Sequence, residues 1–395
     1  MLLLPGRFWL LRQVTFIHYA LRQQPTWENR MKVSNATPPL SGGQAPEKPW
    51  FVLDSRAMDV SRILASLAIF YFHVGLFCSV PLSFYAEEGV EYFIFLAGIS
   101  YVLFSTSKPS RLDEFPDYLK KRFVSLFPMY LLINLGVFLG SFLHSSRLGR
   151  PFSGLEFLAS AAGISQYIGW RYLTAPMWFV PFIMQVYLLL PLIDWVLQRA
   201  NAVWVILAAT VISWLLALWL SVSMHSDVDH LCWTCKMWSP VFRLPDVCVG
   251  VILGRLMLVG TRGRRTGLAA ILLFGLLSWL SGLPQSKLVF VIFHLPFSGF
   301  VTPGILYGLT FVCLPIFSLM GTKLLRVLGR ATLPFFLIQC APLQAIGHQF
   351  GHQPVIWVAY FFVCWILALG CTVGLEKVTR GTQTNRSRGV KPAAG

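Results

Sequence analysis

Two residues of one apolar segment, Arg62 and His73, have types and a spacing that suit proton transfer and anion binding. They stand eleven positions apart, about three helical turns, so a helix places both side chains on one face. His73 then lies about 16 Å deeper than Arg62, near the middle of a membrane. An imidazole can accept a proton from a hydroxyl, and a guanidinium can bind a phosphate through two hydrogen bonds.

The same residues can also have purely structural roles. Arg62 can extend to the lipid headgroups, and Asp59 can pair with it across one helical turn. His73 can be a core histidine with a satisfied hydrogen bond. An ionisable group inside a membrane is costly, however, and that cost makes a function the first hypothesis for His73.

The composition predicts that lipid is the main solvent of the chain. Of its 395 residues, 56% are hydrophobic and 12% are charged, and the mean hydropathy is +0.65. A soluble domain carries about 25% charged residues. Helices satisfy their own backbone hydrogen bonds in lipid, and about 20 residues cross the hydrocarbon core. We therefore predict an all-α fold, a polytopic membrane helix bundle.

About ten transmembrane helices of this kind are predicted. They cover residues 57–80, 89–105, 122–143, 175–197, 202–222, 241–259, 266–283, 302–320, 330–349 and 354–376. The segment 155–167 is short and rich in small residues, so it is assigned to an interfacial or re-entrant helix. The predicted divisions are a flexible N-terminal tail with an alternative start at Met31, a transmembrane domain and a basic cytoplasmic tail, at residues 1–50, 51–378 and 379–395.

Lysine and arginine residues predict the orientation, because cytoplasmic loops hold their excess. With the N-terminus inside, the inner loops hold Lys108, Arg111, Lys120, Lys121, Arg122, Arg199, Arg255, Arg262, Arg264, Arg265, Lys323, Arg326 and Arg330. The outer loops hold only Arg147, Arg150, Arg171, Lys236 and Lys287. A multi-pass protein of the cytoplasmic (inner) membrane with both termini in the cytoplasm is predicted. This pattern also accounts for the net charge of +16, so no nucleic-acid partner is expected.

One CxxC pair, Cys232 and Cys235, falls in a predicted outer loop. An oxidising compartment would favour a disulfide there, and two free thiols are the alternative. Neighbouring residues such as His225 and Asp227 make a metal site conceivable, but a solvated loop explains them more simply. No metal site is predicted.

Several short motifs resemble one enzyme family in their order. Arg62 and His73 precede a Gly-Val-Glu-Tyr-Phe run over residues 89–93, similar to the opening of the membrane-bound acyltransferase 3 family. Later matches are Lys121-Arg122 with Phe127-Pro128-Met129-Tyr130, Met177-Trp178-Phe179-Val180, Arg243-Leu244-Pro245-Asp246 and Leu328-Gly329-Arg330-Ala331-Thr332. The resemblance covers about residues 54–376.

The chain departs from the family pattern at three polar positions. Ser125 stands where the family often has a second arginine, and Gln185 where it often has an acidic residue. Gln339 stands where its late histidine is found. These departures concern the substrate rather than Arg62 and His73.

The resemblance implies an O-acyltransferase that moves an acyl group, most often acetyl, from cytoplasmic acyl-CoA to a hydroxyl of a polysaccharide or glycolipid. His73 would act as the base, and Arg62 would bind a CoA phosphate together with Lys121 and Arg122. The residues assigned to the acceptor are Glu91, Trp178, Gln185 and Arg243. Acyl-CoA is a co-substrate, and no permanently bound cofactor is expected.

Each of these assignments competes with a simpler structural role. Lys121 and Arg122 can contact anionic headgroups, and Trp178 can be an interfacial or packing residue. Glu91 can be the buried partner of a basic residue, and Arg243 can pair with Asp246. At the level of the whole chain, the alternatives are a transporter or flippase of a polar or lipid-linked solute and a membrane scaffold without catalysis.

Overall fold

The computed structural model describes residues 53–78, 89–104, 114–143, 152–165, 175–224, 239–258, 301–339 and 353–389. Within these ranges the secondary structure is helical, and no strand occurs. The predicted all-α class is confirmed. The predicted span at 266–283, the N-terminal tail and the Cys232–Cys235 pair lie outside the described residues.

The helices follow the apolar segments of the sequence. They are α1 Ser55–Cys78, α2 Gly89–Phe104, α3 Phe115–Leu143, α4 Gly154–Ala161, α5 Phe179–Arg199, α6 Ala202–Met224, α7 Leu244–Leu258, α8 Val301–Ser318, α9 Thr322–Ile338 and α10 Pro354–Gly389. Single 3₁₀ turns, Ala175–Trp178 and Pro240–Arg243, precede α5 and α7. The start of α3 precedes the predicted residue 122, and α10 continues into the predicted basic tail.

Length and composition make four of the described helices candidate membrane spans. Four contain stretches that are long and apolar enough to cross a bilayer, namely Ser55–Gly75, Phe115–Phe142, Phe179–Arg199 and Val355–Lys377. Shorter apolar helices are Gly89–Phe104, Ala202–Leu216 and Pro303–Ser318. Their outer faces expose large aliphatic side chains such as Val312, Val355 and Ile366. Such faces suit lipid, and the bundle is therefore polytopic.

The short helix α4 is closed at its N-terminus by a capping box. The Ser153 hydroxyl accepts a hydrogen bond from the Glu156 backbone N–H at 3.2 Å, and the Ser153 N–H donates to the Glu156 carboxylate at 2.7 Å. Eight residues extend about 12 Å, too short to cross a bilayer. The segment is therefore not a span, as its sequence predicts.

Helices α2 and α7 run parallel in close contact, because glycines let their backbones approach. A Cβ at Gly250 would lie 2.8 Å from the carbonyl oxygen of Phe95, and one at Gly254 would lie 2.7 Å from Cβ of Val102. On α2, a Cβ at Gly98 would lie 2.7 Å from the Gly250 carbonyl carbon. The residue numbers of the contacting pairs increase together along both helices, so the two helices begin at the same end of the bundle. The prediction of ten consecutive spans requires the same direction for its second and sixth spans.

Helix α1 packs antiparallel to α2. A Cβ at Gly89 would lie 2.9 Å from the Ala65 carbonyl oxygen, whereas Tyr92 donates a hydrogen bond to Ser61 at 3.1 Å. Both hydroxyls also contact Thr310 of α8, at 2.9 Å from Ser61 and 3.2 Å from Tyr92. Three buried hydroxyl groups thus fix α1 against two neighbours.

Helix α9 runs parallel to α1. Gly329 packs on Asp59 near the start of α1, and the ring of Phe335 lies 5.9 Å from that of Phe70 farther along. We call the end at which α1 begins the base of the bundle and the end at which it finishes the top. Helices α2 and α7 therefore begin at the top, and α9 finishes there.

Candidate functional site

One unbroken helix, α1, carries both Arg62 and His73. Helical geometry places their side chains on a shared face about 16 Å apart along the axis. His73 lies two residues before Gly75, where the apolar stretch of α1 ends, so it is nearer the top than the middle of that stretch. It is partly buried, with its ring 5.3 Å from that of Phe72.

The base of α1 holds an ion pair that α9 supports. Arg62 donates to Asp59 at 3.1 Å, and the Asp59 side chain is 12% exposed whereas that of Arg62 is 36% exposed. A Cβ at Gly329 would lie 2.6 Å from Cβ of Asp59, so only glycine fits there without a shift. Asp59 is thereby held in place and can orient Arg62, whose guanidinium still reaches the surface.

Two further arginines of α9, Arg326 and Arg330, act electrostatically on Asp59. Arg330 also pairs with Glu376 of α10 at 2.6 Å, and Arg326 is exposed. The charge pattern places both residues in a predicted inner loop, and Arg330 also belongs to the last family motif. Neither signal indicates a contact with Asp59. The base near α1 therefore has an excess of positive charge.

Arg122 and Lys121 lie on α3, at the same end of the bundle. Helix α3 is antiparallel to α5, because Arg122 lies over the ring of Tyr187 at 5.1 Å while Asn134 donates to the Met177 sulfur at 3.4 Å. Lys121 is exposed, whereas Arg122 is partly buried. Cation–π contacts with Tyr118 and Tyr187 hold Arg122 in place, whereas Lys121 stays exposed.

Helix α5 is parallel to α7 and is tied to it near the base by a buried ion pair. Arg255 donates through Nε to the Asp194 carboxylate at 2.8 Å and through an NH2 group to the Asp194 carbonyl oxygen at 2.6 Å. The charge pattern assigned Arg255 to an inner loop, and this assignment is wrong because the residue is buried within α7. The pair joins the ends of α5 and α7, and the residue types alone do not predict this contact.

At the top, Glu91 and Arg243 form a second buried ion pair. Their closest atoms are 2.6 Å apart, and their side chains are 8% and 6% exposed. The Arg243 guanidinium also lies 5.8 Å from the centre of the Phe182 ring. One carboxylate oxygen of Glu91, Oε2, is buried without a hydrogen-bond partner among the described residues. The structure thus brings together two residues that were assigned separately to the acceptor.

Trp178 ends the 3₁₀ turn that precedes α5, and Gln185 lies in the second turn of α5. The Trp178 ring is buried and meets the rings of Phe179 and Phe182 edge to face, at 5.9 and 5.6 Å. Gln185 is partly buried and donates to the Pro181 carbonyl oxygen at 3.4 Å. These contacts pack Trp178 against Phe182, whose ring centre lies 5.8 Å from the Arg243 guanidinium.

Gln339 completes the polar residues at the top, directly after the last residue of α9. It is fully buried, and neither its Oε1 nor its Nε2 has a hydrogen-bond partner among the described residues. Its carbonyl oxygen accepts a hydrogen bond from the Tyr360 hydroxyl. Sequence reasoning noted Gln339 only as a departure from a family pattern.

The fold and these two polar ends define a polytopic membrane protein whose bundle interior contains two ion pairs and a buried amide among the described residues. The chain belongs to the acyltransferase 3 family, since the family model described as an acyltransferase domain matches residues 55–376. No curated protein and no solved structure gives a significant match to the chain. The matched region begins with α1 and ends within α10, so it includes every residue of both polar ends.

Proposed function

We propose that the protein is an integral membrane O-acyltransferase of the cytoplasmic membrane that transfers an acyl group, in the first instance acetyl, from cytoplasmic acyl-CoA to a hydroxyl of a polysaccharide or glycolipid. The observation that carries the proposal is α1, a single unbroken helix with a partly exposed guanidinium at its base and an imidazole about three turns farther on. Membership of the acyltransferase 3 family supports the reaction class.

In this proposal His73 is the general base. Its imidazole takes the proton of the acceptor hydroxyl while the hydroxyl oxygen attacks the thioester carbonyl carbon. A carbon–oxygen bond forms, the carbon–sulfur bond breaks, and the imidazolium returns the proton to the departing CoA thiolate. A poor nucleophile is thereby activated without a net change in the protonation of the enzyme.

Arg62 binds a phosphate of CoA in this proposal, and the base of the bundle faces the cytoplasm. Arg62, Arg122 and Arg326 all lie at that end, where the excess of cytoplasmic positive charge is expected. An extended pantetheine arm has a length similar to the separation of Arg62 and His73, so the thioester can reach the imidazole while the phosphate stays at Arg62. Lys121 and Arg122 assist the approach of the nucleotide electrostatically.

The acceptor enters from the top, where Glu91 and Arg243 are assigned to its polar groups. Glu91 keeps one carboxylate oxygen without a partner in the described part of the chain, which suits a hydroxyl donor. Trp178 packs on Phe182, whose ring centre lies 5.8 Å from the Arg243 guanidinium, and Gln185 lies about two turns farther along the chain.

The test uses the purified full-length protein in lipid nanodiscs. Thiol release from acetyl-CoA is measured for the wild type, His73→Ala and Tyr71→Phe, a matched control on an exposed position of the same helix. We expect His73→Ala to lose at least about 100-fold in kcat with an unchanged melting temperature, the usual contribution of a general base, while Tyr71→Phe stays within about twofold. Activity of a folded His73→Ala protein at the wild-type level would rule the proposal out.

A cellular arm identifies the acceptor class. The masses of surface glycans are compared between a deletion strain and strains carrying the wild type or His73→Ala. We expect an acyl group to be missing from one glycan in the deletion and His73→Ala strains. Solute uptake by proteoliposomes without any acyl donor would instead support the transporter alternative.

A further inference from the structure

The side-chain amide of Gln339 has an unusual environment for a buried polar group. The residue is fully buried, and both amide atoms lack a hydrogen-bond partner within the described part of the chain. The main chain is satisfied, because the carbonyl oxygen accepts from the Tyr360 hydroxyl. A buried amide without partners is destabilising, so a residue of this kind points to a ligand that completes it.

Gln339 lies beside the segment of α1 that presents His73. The ring of Phe70, about one helical turn before His73, is 6.2 Å from the ring of Tyr360, whose hydroxyl bonds to Gln339. The same Phe70 ring is 5.9 Å from that of Phe335, about one turn before Gln339. Gln339 and His73 therefore both lie about one turn beyond these ring contacts, toward the top of the α1 and α9 interface.

The other side of α9 connects Gln339 to the assigned acceptor residues. Phe336, three residues before Gln339, has its ring 5.0 Å from that of Phe179, the neighbour of Trp178. Phe336 also lies 6.5 Å from Phe93, which is two residues beyond Glu91 on α2. Gln339 thus follows a turn of α9 that contacts the helix of the proposed base through Phe335 and the helices of the proposed acceptor residues through Phe336.

We propose that Gln339 is a specificity-determining residue that hydrogen-bonds a second hydroxyl of the acceptor, next to the one that is acylated. The assignment rests on the proposed function. A hydroxyl can donate to Oε1 and accept from Nε2, whereas a carbonyl or a phosphate oxygen can satisfy only Nε2. Both atoms are open within the described residues, so the ligand chemistry that fits is a polyol such as a sugar ring rather than the thioester carbonyl of the donor.

The experiment compares Gln339→Met, which keeps the size but removes both polar atoms, with Gln339→His, which restores one donor and one acceptor. Three quantities are measured: the acyl content of the surface glycans in cells, thiol release from acetyl-CoA by the purified protein, and its melting temperature. His73→Ala is included because it tests the proposed function itself, and it should lose both glycan acylation and thiol release.

We expect Gln339→Met to reduce glycan acylation at least about tenfold, because a site that hydrogen-bonds a hydroxyl binds it poorly once the polar partner is removed. Its melting temperature should equal or exceed that of the wild type, and thiol release should stay within about twofold of the wild-type rate. Gln339→His should keep most of the glycan acylation.

Either of two results would overturn the assignment. Wild-type glycan acylation by Gln339→Met would mean that water or nothing occupies the amide. A parallel fall of melting temperature, thiol release and acylation in Gln339→Met would mean that the amide supports the fold. Failure of the proposed function is recognised separately, as wild-type acylation in His73→Ala cells.

Discussion

Gly329 of α9 lies directly against the side chain of Asp59, the residue that pairs with Arg62 at the base of α1. The pair is therefore not a local feature of α1 alone. Its position depends on a second helix that approaches closely because Gly329 has no side chain. This relationship gives the glycine of the last family motif a physical task at the proposed CoA site.

Substitution Gly329→Ala should disturb this support. The added Cβ would lie 2.5 Å from Oδ1 of Asp59, so either the carboxylate or α9 has to move. We expect about 1–3 kcal/mol of destabilisation, as for overpacked cores, and a rise of about tenfold in KM for acetyl-CoA. Thermal melting and initial rates measure the two effects.

The matched control is Gly370→Ala on α10, where an added Cβ meets no atom within 4 Å. That variant should keep the wild-type KM and gain slightly in stability, because alanine favours helices. Equal behaviour of the two variants would show that the Asp59 contact has no role in binding.

The proposed role of Arg62 is tested by comparing donors that differ in their phosphates. We expect Arg62→Gln to lower kcat/KM for acetyl-CoA by about 10- to 100-fold, the loss of a bidentate charge-assisted contact. The ratio of kcat/KM between acetyl-CoA and acetyl-dephospho-CoA shows whether the contact is to the 3′-phosphate. If it is, the ratio falls toward one in the variant.

A control for charge alone is Arg199→Gln at the base of α5. Arg199 is exposed and is held by its own helix, with its guanidinium 4.1 Å from the Trp195 ring and a hydrogen bond to the Trp195 carbonyl oxygen. Its removal should leave kcat/KM for both donors unaffected. If Arg199→Gln weakens the donor as much as Arg62→Gln, the base acts as a diffuse positive field and Arg62 holds no specific phosphate.

Local patterns in the sequence predict the structural features that depend on a single helix. The shared face of Arg62 and His73 follows from helical periodicity, and the all-α class follows from apolar segments that can only be helices in lipid. The short α4 is also predictable, because too few apolar residues are available to cross a bilayer.

Contacts between distant helices could not be predicted in the same way. Glu91 and Arg243 meet because α2 and α7 are parallel and share a register set by their glycines. Arg255 was misassigned because the charge rule counts residue types near helix ends and does not detect a partner such as Asp194 on another helix. Gln339 carried no positive signal, since an unsatisfied amide is visible only in three dimensions.

The Asp194 and Arg255 pair should be important for stability rather than for chemistry. Removal of one partner leaves a buried charge without compensation, which costs about 3–5 kcal/mol. We therefore expect Asp194→Asn or Arg255→Met to lower the melting temperature strongly. The double variant Asp194→Leu with Arg255→Met should recover much of the loss, because an apolar pair of similar volume needs no desolvation of charge.

Thermal melting in nanodiscs distinguishes these cases, with thiol release measured on the folded fraction. The double variant should keep its kcat within about threefold of the wild type. A stable double variant without activity would contradict the structural assignment and would indicate that this pair takes part in the reaction.

Glu91 and Arg243 should behave differently, because the proposal gives them both a structural and an acceptor-binding role. Each single neutral substitution, Glu91→Gln or Arg243→Gln, leaves the partner charge buried and should lower stability by about 3–5 kcal/mol. The double variant Glu91→Gln with Arg243→Gln removes both charges, and we expect its melting temperature to recover most of the difference from the wild type.

Acyl transfer by this double variant separates the two roles of the pair. Glycan acylation should stay at least about tenfold below the wild-type level, since the acceptor contacts of Glu91 and Arg243 are lost. Thiol release from acetyl-CoA, which in the proposal needs only Arg62 and His73, should recover together with stability. Full recovery of glycan acylation in the double variant would show that the pair only holds α2 and α7 together, and that the acceptor is bound elsewhere at the top of the bundle.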